Sequence, residues 1–82
     1  MAVDYRRLRS LTAGDLVRAL TRDGFRLRNQ VGSHMRFAHH DGRRVTVTFH
    51  HAGQTFPPKT LKSMIERQAK WANADLERLG LL

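Results

Sequence analysis

The sequence predicts an α+β domain, ordered α-β-β-β-α, with a three-stranded antiparallel sheet, helices on one face of it and a short extra C-terminal helix. Three observations carry this. Residues 13–23 repeat apolar side chains at helical spacing between a threonine and a glycine. Residues 25–49 alternate apolar and polar side chains around glycine-containing turns. Residues 59–72 return to helical spacing behind two prolines. An antiparallel sheet buries one face and wets the other, so the flanking helices are expected on the apolar face.

Thr12 opens the first helix. Its hydroxyl is placed to cap, and Asp15 three residues on reaches back, a capping box with Asp in place of Glu. Leu11 and Leu16 have the spacing of a hydrophobic staple. Leu16, Val17 and Leu20 form one apolar stripe, and Gly24 closes the helix as a C′ glycine. Ahead of it, residues 1–10 read as a basic arm carrying Arg6, Arg7 and Arg9. A single domain follows over residues 11–82.

Phe25 and Leu27 alternate with Arg26 and Arg28, the pattern of a half-buried strand. Asn29 to Ser33 reads as a loop. Met35 and Phe37 face inward from a second strand, and Val45, Val47 and Phe49 from a third. The turn between them fixes the register. A two-residue Asp41-Gly42 loop would set Phe37 against Thr46, and the apolar faces would disagree. A three-residue loop, His40-Asp41-Gly42 with a left-handed Gly42, pairs Phe37 with Val45, Met35 with Val47 and His34 with Thr48. His50 then falls diagonally from His34, about 7–8 Å away.

Pro58 suits the first turn of the second long helix. Leu61, Met64, Ile65, Gln68, Ala69 and Ala72 share its stripe, with Met64 and Trp71 expected in the core or at its rim. Asn73 is placed to cap a last helix over residues 74–79, ended by Gly80.

Composition narrows the partners. A chain of 82 residues supports one modest core. It has no cysteine, which excludes disulfides and thiolate chemistry and agrees with a cytoplasmic location. No apolar run approaches the ~18 residues of a membrane span, and the N-terminus lacks the apolar core of a signal peptide. The 15 Lys and Arg against 7 Asp and Glu give a net charge of +8. Such an excess attracts polyanions, and nucleic acid leads over an anionic membrane or an acidic protein.

Gly32-Ser33-His34 is the candidate site. Glycine lets a backbone turn tightly or approach a ligand, and histidine is the side chain suited to proton transfer near neutral pH. RNA cleavage needs a base for the 2′-OH proton, charge for the phosphorane and an acid for the leaving oxygen. His34 is the candidate general base or acid, and Gly32, Ser33 and His50 are candidates for auxiliary roles. Arg28, Arg36, Lys59 and Thr60 are candidate phosphate contacts, the last two at a helix start where free N–H groups meet phosphate.

A serine hydrolase built on Ser33 does not fit, since sequence-adjacent Ser-His pairs lack the geometry for proton transfer. The pairs His39-His40 and His50-His51 look like metal ligands. The hairpin register separates them by about seven strand residues, roughly 23 Å, while zinc needs ligands within ~2.0–2.3 Å of one point. No metal or other cofactor is expected. A non-catalytic RNA-binding module of the same fold is the alternative function, and a purely protein-binding partner is a third.

The ordered set Ala19-Leu20, Asp23-Gly24-Phe25, Gly32-Ser33-His34 with Phe37, Val45-Thr46-Val47 leading to His50, Lys59-Thr60-Leu61 and Gln68-Ala69 resembles the HicA-type mRNA interferase toxins. The resemblance covers about residues 11–80. It implies a double-stranded-RNA-binding-like fold, a metal-independent endoribonuclease acting on mRNA, and a HicB-like antitoxin that occludes His34. The family's catalytic histidine matches His34, and its Gly-Ser-His segment matches Gly32 and Ser33. This chain departs from the family pattern at Thr48, where proline is frequent, and at Lys70, where glycine is frequent.

Overall fold

Thr12 Oγ1 accepts the Asp15 N–H at 3.1 Å, and the Asp15 carboxylate accepts the Thr12 N–H at 3.1 Å. The bond from the Thr12 N–H holds the Asp15 carboxyl below its usual range. This capping box opens a helix over Ala13–Arg22, α2, in a computed structural model that describes residues 3–82. A Schellman turn ends the helix. The Phe25 N–H donates to the Leu20 carbonyl at 2.9 Å and the Gly24 N–H to the Thr21 carbonyl at 3.1 Å, with Gly24 at φ +100°. A short helix α1, Tyr5–Leu8, precedes it. Residues 1 and 2 of the basic arm lie outside the described residues. The rest of it is tied down, because Leu8 is 1% exposed in the core and the Tyr5 hydroxyl donates to the Glu66 carboxylate.

Three strands, β1 Arg26–Val31, β2 His34–Ala38 and β3 Arg44–Thr48, form an antiparallel sheet in that order. Phe37 faces Val45, Met35 faces Val47 and His34 faces Thr48, the register expected from the turn. The turn itself is the three-residue loop. The Gly42 N–H donates to the His39 carbonyl at 3.0 Å, the His39 N–H to the Arg43 carbonyl at 2.9 Å, and Gly42 has φ +98°. Phe37, Val45 and Val47 are buried under the helices.

Two expectations for β1 need correction. Residues 29–31 continue the strand rather than forming a loop, and Leu27 is 48% exposed. β1 is an edge strand with all of its residues exposed, so burial imposes no alternation on it. Its register also slips at a bulge: Leu27 faces Phe37 while Asn29 already faces Arg36, leaving Arg28 as the extra residue.

The second long helix starts at Pro58, with Pro57 as its N-cap. It runs as α3, Pro58–Lys62, into a π-helical turn over Ser63–Gln68. Leu61, Met64, Ile65 and Ala69 are buried as expected, but Ala72 lies beyond the helix and is exposed. Trp71 is 2% exposed, a core residue. Gln68 covers the outer edge of β3: its Oε1 accepts the Thr46 N–H at 2.9 Å. Gln54 does the same further along, donating to the Thr48 carbonyl at 2.9 Å. Such pairing of edge groups suppresses edge-to-edge association. The last helix, α4 over Asn73–Arg78, is capped at Ala72 rather than Asn73, and the Asp75 carboxylate accepts the Ala72 N–H at 2.9 Å. Gly80, at φ +76°, ends it.

Lys70 stands where the backbone favours glycine. It has φ +57°, and it is the one non-glycine residue with positive φ among the described residues. Left-handed backbone costs an L-residue about 1–2 kcal/mol, partly offset because glycine loses more entropy on folding. Lys70→Gly is therefore expected to stabilise the domain by about 0.5–1 kcal/mol, a rise of roughly 2–8 °C in Tm. Thermal melts of the two proteins check this, and a lower Tm for the glycine variant would refute it.

Candidate functional site

His34 owes its position to the turn before it. Val31 and His34 are paired residues closing a two-residue loop, Gly32-Ser33. Gly32 has φ +58° and Ser33 does not have positive φ, the pattern of a type II′ hairpin turn with glycine first. A Cβ at Gly32 would meet nothing within 4 Å, so the backbone angle and not crowding calls for glycine. The Ser33 carbonyl accepts the Phe49 N–H at 2.7 Å, which anchors the turn to the end of β3. His34 thus becomes the first residue of β2. Its side chain is exposed, and its ring makes no hydrogen bond to the described residues. Val31, 58% exposed, is its neighbour on one side and Thr48 on the other.

The same outward face carries cations. Arg36 lies between Asn29 and Thr46, and the next row is Arg26, Ala38 and Arg44. Arg28, Arg36 and Arg44 line a cavity of about 390 Å³ with Asn29 and Thr46, and no carboxylate borders it among the described residues. Of the expected phosphate contacts, Arg28 and Arg36 share this face with His34. Lys59 and Thr60 are exposed but stand in the first turn of α3, in the helical layer. His50 is exposed two residues past Thr48, with its N–H bonded to Gln54 Oε1 at 2.7 Å. Arg44 and Thr46 were not singled out from the sequence. The signal was there: with Val45 and Val47 inward, residues 44, 46 and 48 must point outward.

His39 does different work. Its Nδ1 accepts the Asp41 N–H at 3.1 Å, so the ring proton sits on Nε2 and is donated to the Asp23 carbonyl at 2.7 Å. Its ring meets Phe25 edge-on at 5.0 Å between centroids. This histidine fastens the hairpin turn to the end of α2. No three His, Asp or Glu side chains among the described residues form a group that could hold a metal ion.

Fold and face together define a class: a small basic α-β-β-β-α domain that presents one unencumbered histidine and a group of arginines on an uncovered sheet. Residues 13–71 match the family of HicA toxins of bacterial toxin–antitoxin systems, and the chain belongs to that family. No curated protein matches the chain. No helix among the described residues is long and apolar enough to cross a membrane.

Proposed function

We propose that this chain is the toxin of a HicA/HicB-type pair and acts in the cytoplasm as an endoribonuclease on mRNA, with His34 as acid–base group and no metal in the reaction. The observation that carries this reading is the place of His34, exposed and without a hydrogen-bond partner among the described residues, on a face whose charged groups are arginines. RNA brings its own nucleophile. The imidazole takes the 2′-OH proton, the 2′-oxygen bonds to phosphorus, the P–O5′ bond breaks, and the 5′-oxygen leaves with a proton. His50 is a candidate for the second proton transfer, and Gly32 and Ser33 hold His34 in place. Purified protein incubated with RNA in EDTA should give fragments ending in 2′,3′-cyclic phosphate. Tight, salt-sensitive binding without cleavage would favour the non-catalytic RNA-binding module.

Arg36 and Arg44 are assigned to phosphate neutralisation. Each Arg→Ala change should make the slope of log affinity against log salt shallower by about 0.7, the single-strand value per phosphate. It should weaken binding alike for RNAs of different sequence. Unchanged slopes in both variants would remove this face from the interface. Lys59 belongs to the same test as the cation of the helical layer, while Thr60→Ala, which removes no charge, should weaken binding without changing the salt slope.

A toxin of this kind needs a neutralising partner. A HicB-like antitoxin should offer carboxylates to the arginine face and cover His34, and exposed ion pairs there are screened over ~8 Å at physiological ionic strength. Diethyl pyrocarbonate should modify His34 in the free protein and not in the complex. A tight complex in which His34 reacts as before would exclude direct occlusion.

A further inference from the structure

A second cavity, about 670 Å³, opens at the end of the sheet between Arg26 of β1, the Gly24-Phe25 corner after α2, and His39 and His40 after β2. It borders the arginine cavity on the outer face, because Arg28 and Ala38 line both. The two volumes lie within the range of about 300–1,000 Å³ usual for small-ligand pockets. No carboxylate borders either one among the described residues.

His40 gives this second cavity its chemistry. It is exposed, and its ring lies on that of His39 at 4.4 Å between centroids and an angle of 30°. His39 is itself fixed by its two hydrogen bonds and by the Phe25 edge. An exposed flat ring is thus backed by a rigid one, beside two guanidinium groups. A flat aromatic ring carrying an anionic tail is what such a place accepts, and a nucleotide is both. In a duplex the bases are stacked inside the helix, whereas an unpaired strand can splay a base onto a side-chain ring.

We infer that this cavity is a subsite for one unpaired base of the RNA strand, stacked on His40, with the flanking phosphates held by Arg26 and Arg28. The inference rests on the RNA reading proposed above. Ala38 is four residues along β2 from His34, roughly 13 Å at ~3.3 Å per residue. The base on His40 therefore lies a few nucleotides from the reacting phosphate. The subsite accordingly selects single-stranded over double-stranded RNA, and it ties cleavage to context away from the cut.

Binding is measured in a His34→Ala background by fluorescence anisotropy, so the readout does not depend on cleavage. The probes are a single-stranded RNA long enough to span both cavities and the same sequence as a duplex. His40→Ala should weaken the single strand about tenfold, within the range that base–aromatic stacking supports, and leave the duplex unchanged. His40→Tyr should restore binding, since it keeps a flat ring without the imidazole. Equal affinity of parent and His40→Ala for the single strand, at unchanged Tm, would overturn the subsite, as would a loss shared equally by the duplex. A His34-containing protein that never cuts RNA, while His40→Ala still loses the single strand, would sink the cleavage reading and leave the subsite standing. Cleavage of unpaired RNA at the parent's rate and KM by a His40→Ala protein with His34 intact would sink the subsite alone.

Discussion

His34→Ala is expected to lower RNA cleavage by about 10²–10⁴-fold, the usual contribution of a positioned acid–base group, and to leave RNA affinity within about twofold, because phosphate neutralisation supplies most of the binding. The two effects separate because the groups do: His34 stands at the start of β2, and the arginines follow along the same face. Folding should be untouched. The side chain is exposed and its ring makes no hydrogen bond to the described residues, and such surface changes usually fall within about 0.5 kcal/mol. A substrate with a 2′-deoxy sugar at the cut position should resist the intact enzyme as completely, since it lacks the attacking oxygen. Equal cleavage rates for wild type and variant would remove His34 from the chemistry. Cleavage of the 2′-deoxy substrate would remove the internal nucleophile.

Local signals were legible in the sequence, and long-range ones were not. Thr12 and Asp15 satisfy each other within one turn, so the residue types alone predict the cap. The β2–β3 register follows from one glycine and two apolar patterns that must share a face. β1 hid its length because an edge strand exposed on both faces has no apolar period, and its polar run Arg28-Asn29-Gln30 imitates a loop. Gly32-Ser33 could have corrected this, since a Gly-Ser pair between strands is a hairpin signal. Its visible work is to turn the chain so that His34 begins a strand. The place of Leu8 in the core was hidden among arginines, where a single leucine gives no period. The π-helical turn and the left-handed Lys70 were not legible either, although the usual glycine at that position of the family pointed to the latter.

Asp23→Ala should be the most destabilising polar substitution in the chain, by about 2–3 kcal/mol, because it orphans the buried Trp71 donor and removes a carboxylate shared by three distant segments. The Asp23 side chain is 8% exposed. Its carboxylate accepts the Trp71 indole N–H at 2.9 Å and the Arg78 guanidinium at 2.9 Å, and Arg43 approaches at 3.2 Å. Arg43 also donates to the Ala69 carbonyl at 2.7 Å and lies over the Phe25 ring at 4.9 Å. One carboxylate thus joins the ends of α2, the hairpin turn, the second helix and α4. Removing it leaves the buried Trp71 donor without an acceptor and takes one of two carboxylates from Arg43, which keeps Asp41 at 2.8 Å. A loss of this size corresponds to roughly 8–24 °C in Tm for a small domain. Burial pushes the Asp23 carboxyl upward, but the Trp71 and Arg78 hydrogen bonds and the charges of Arg43 and Arg78 outweigh it and hold it below the usual carboxylate range. A carboxyl lowered by folding contributes its full stability above the unfolded value, near ~3.9, and loses it as pH falls through the folded one. Asp23→Asn keeps the size and one acceptor oxygen but not the charge. The Tm gap between wild type and Asp23→Asn should therefore be constant from about pH 7 to 5 and should close below about pH 4. A gap that persists undiminished to pH 3 would show that the charge of Asp23 is not what holds these segments together.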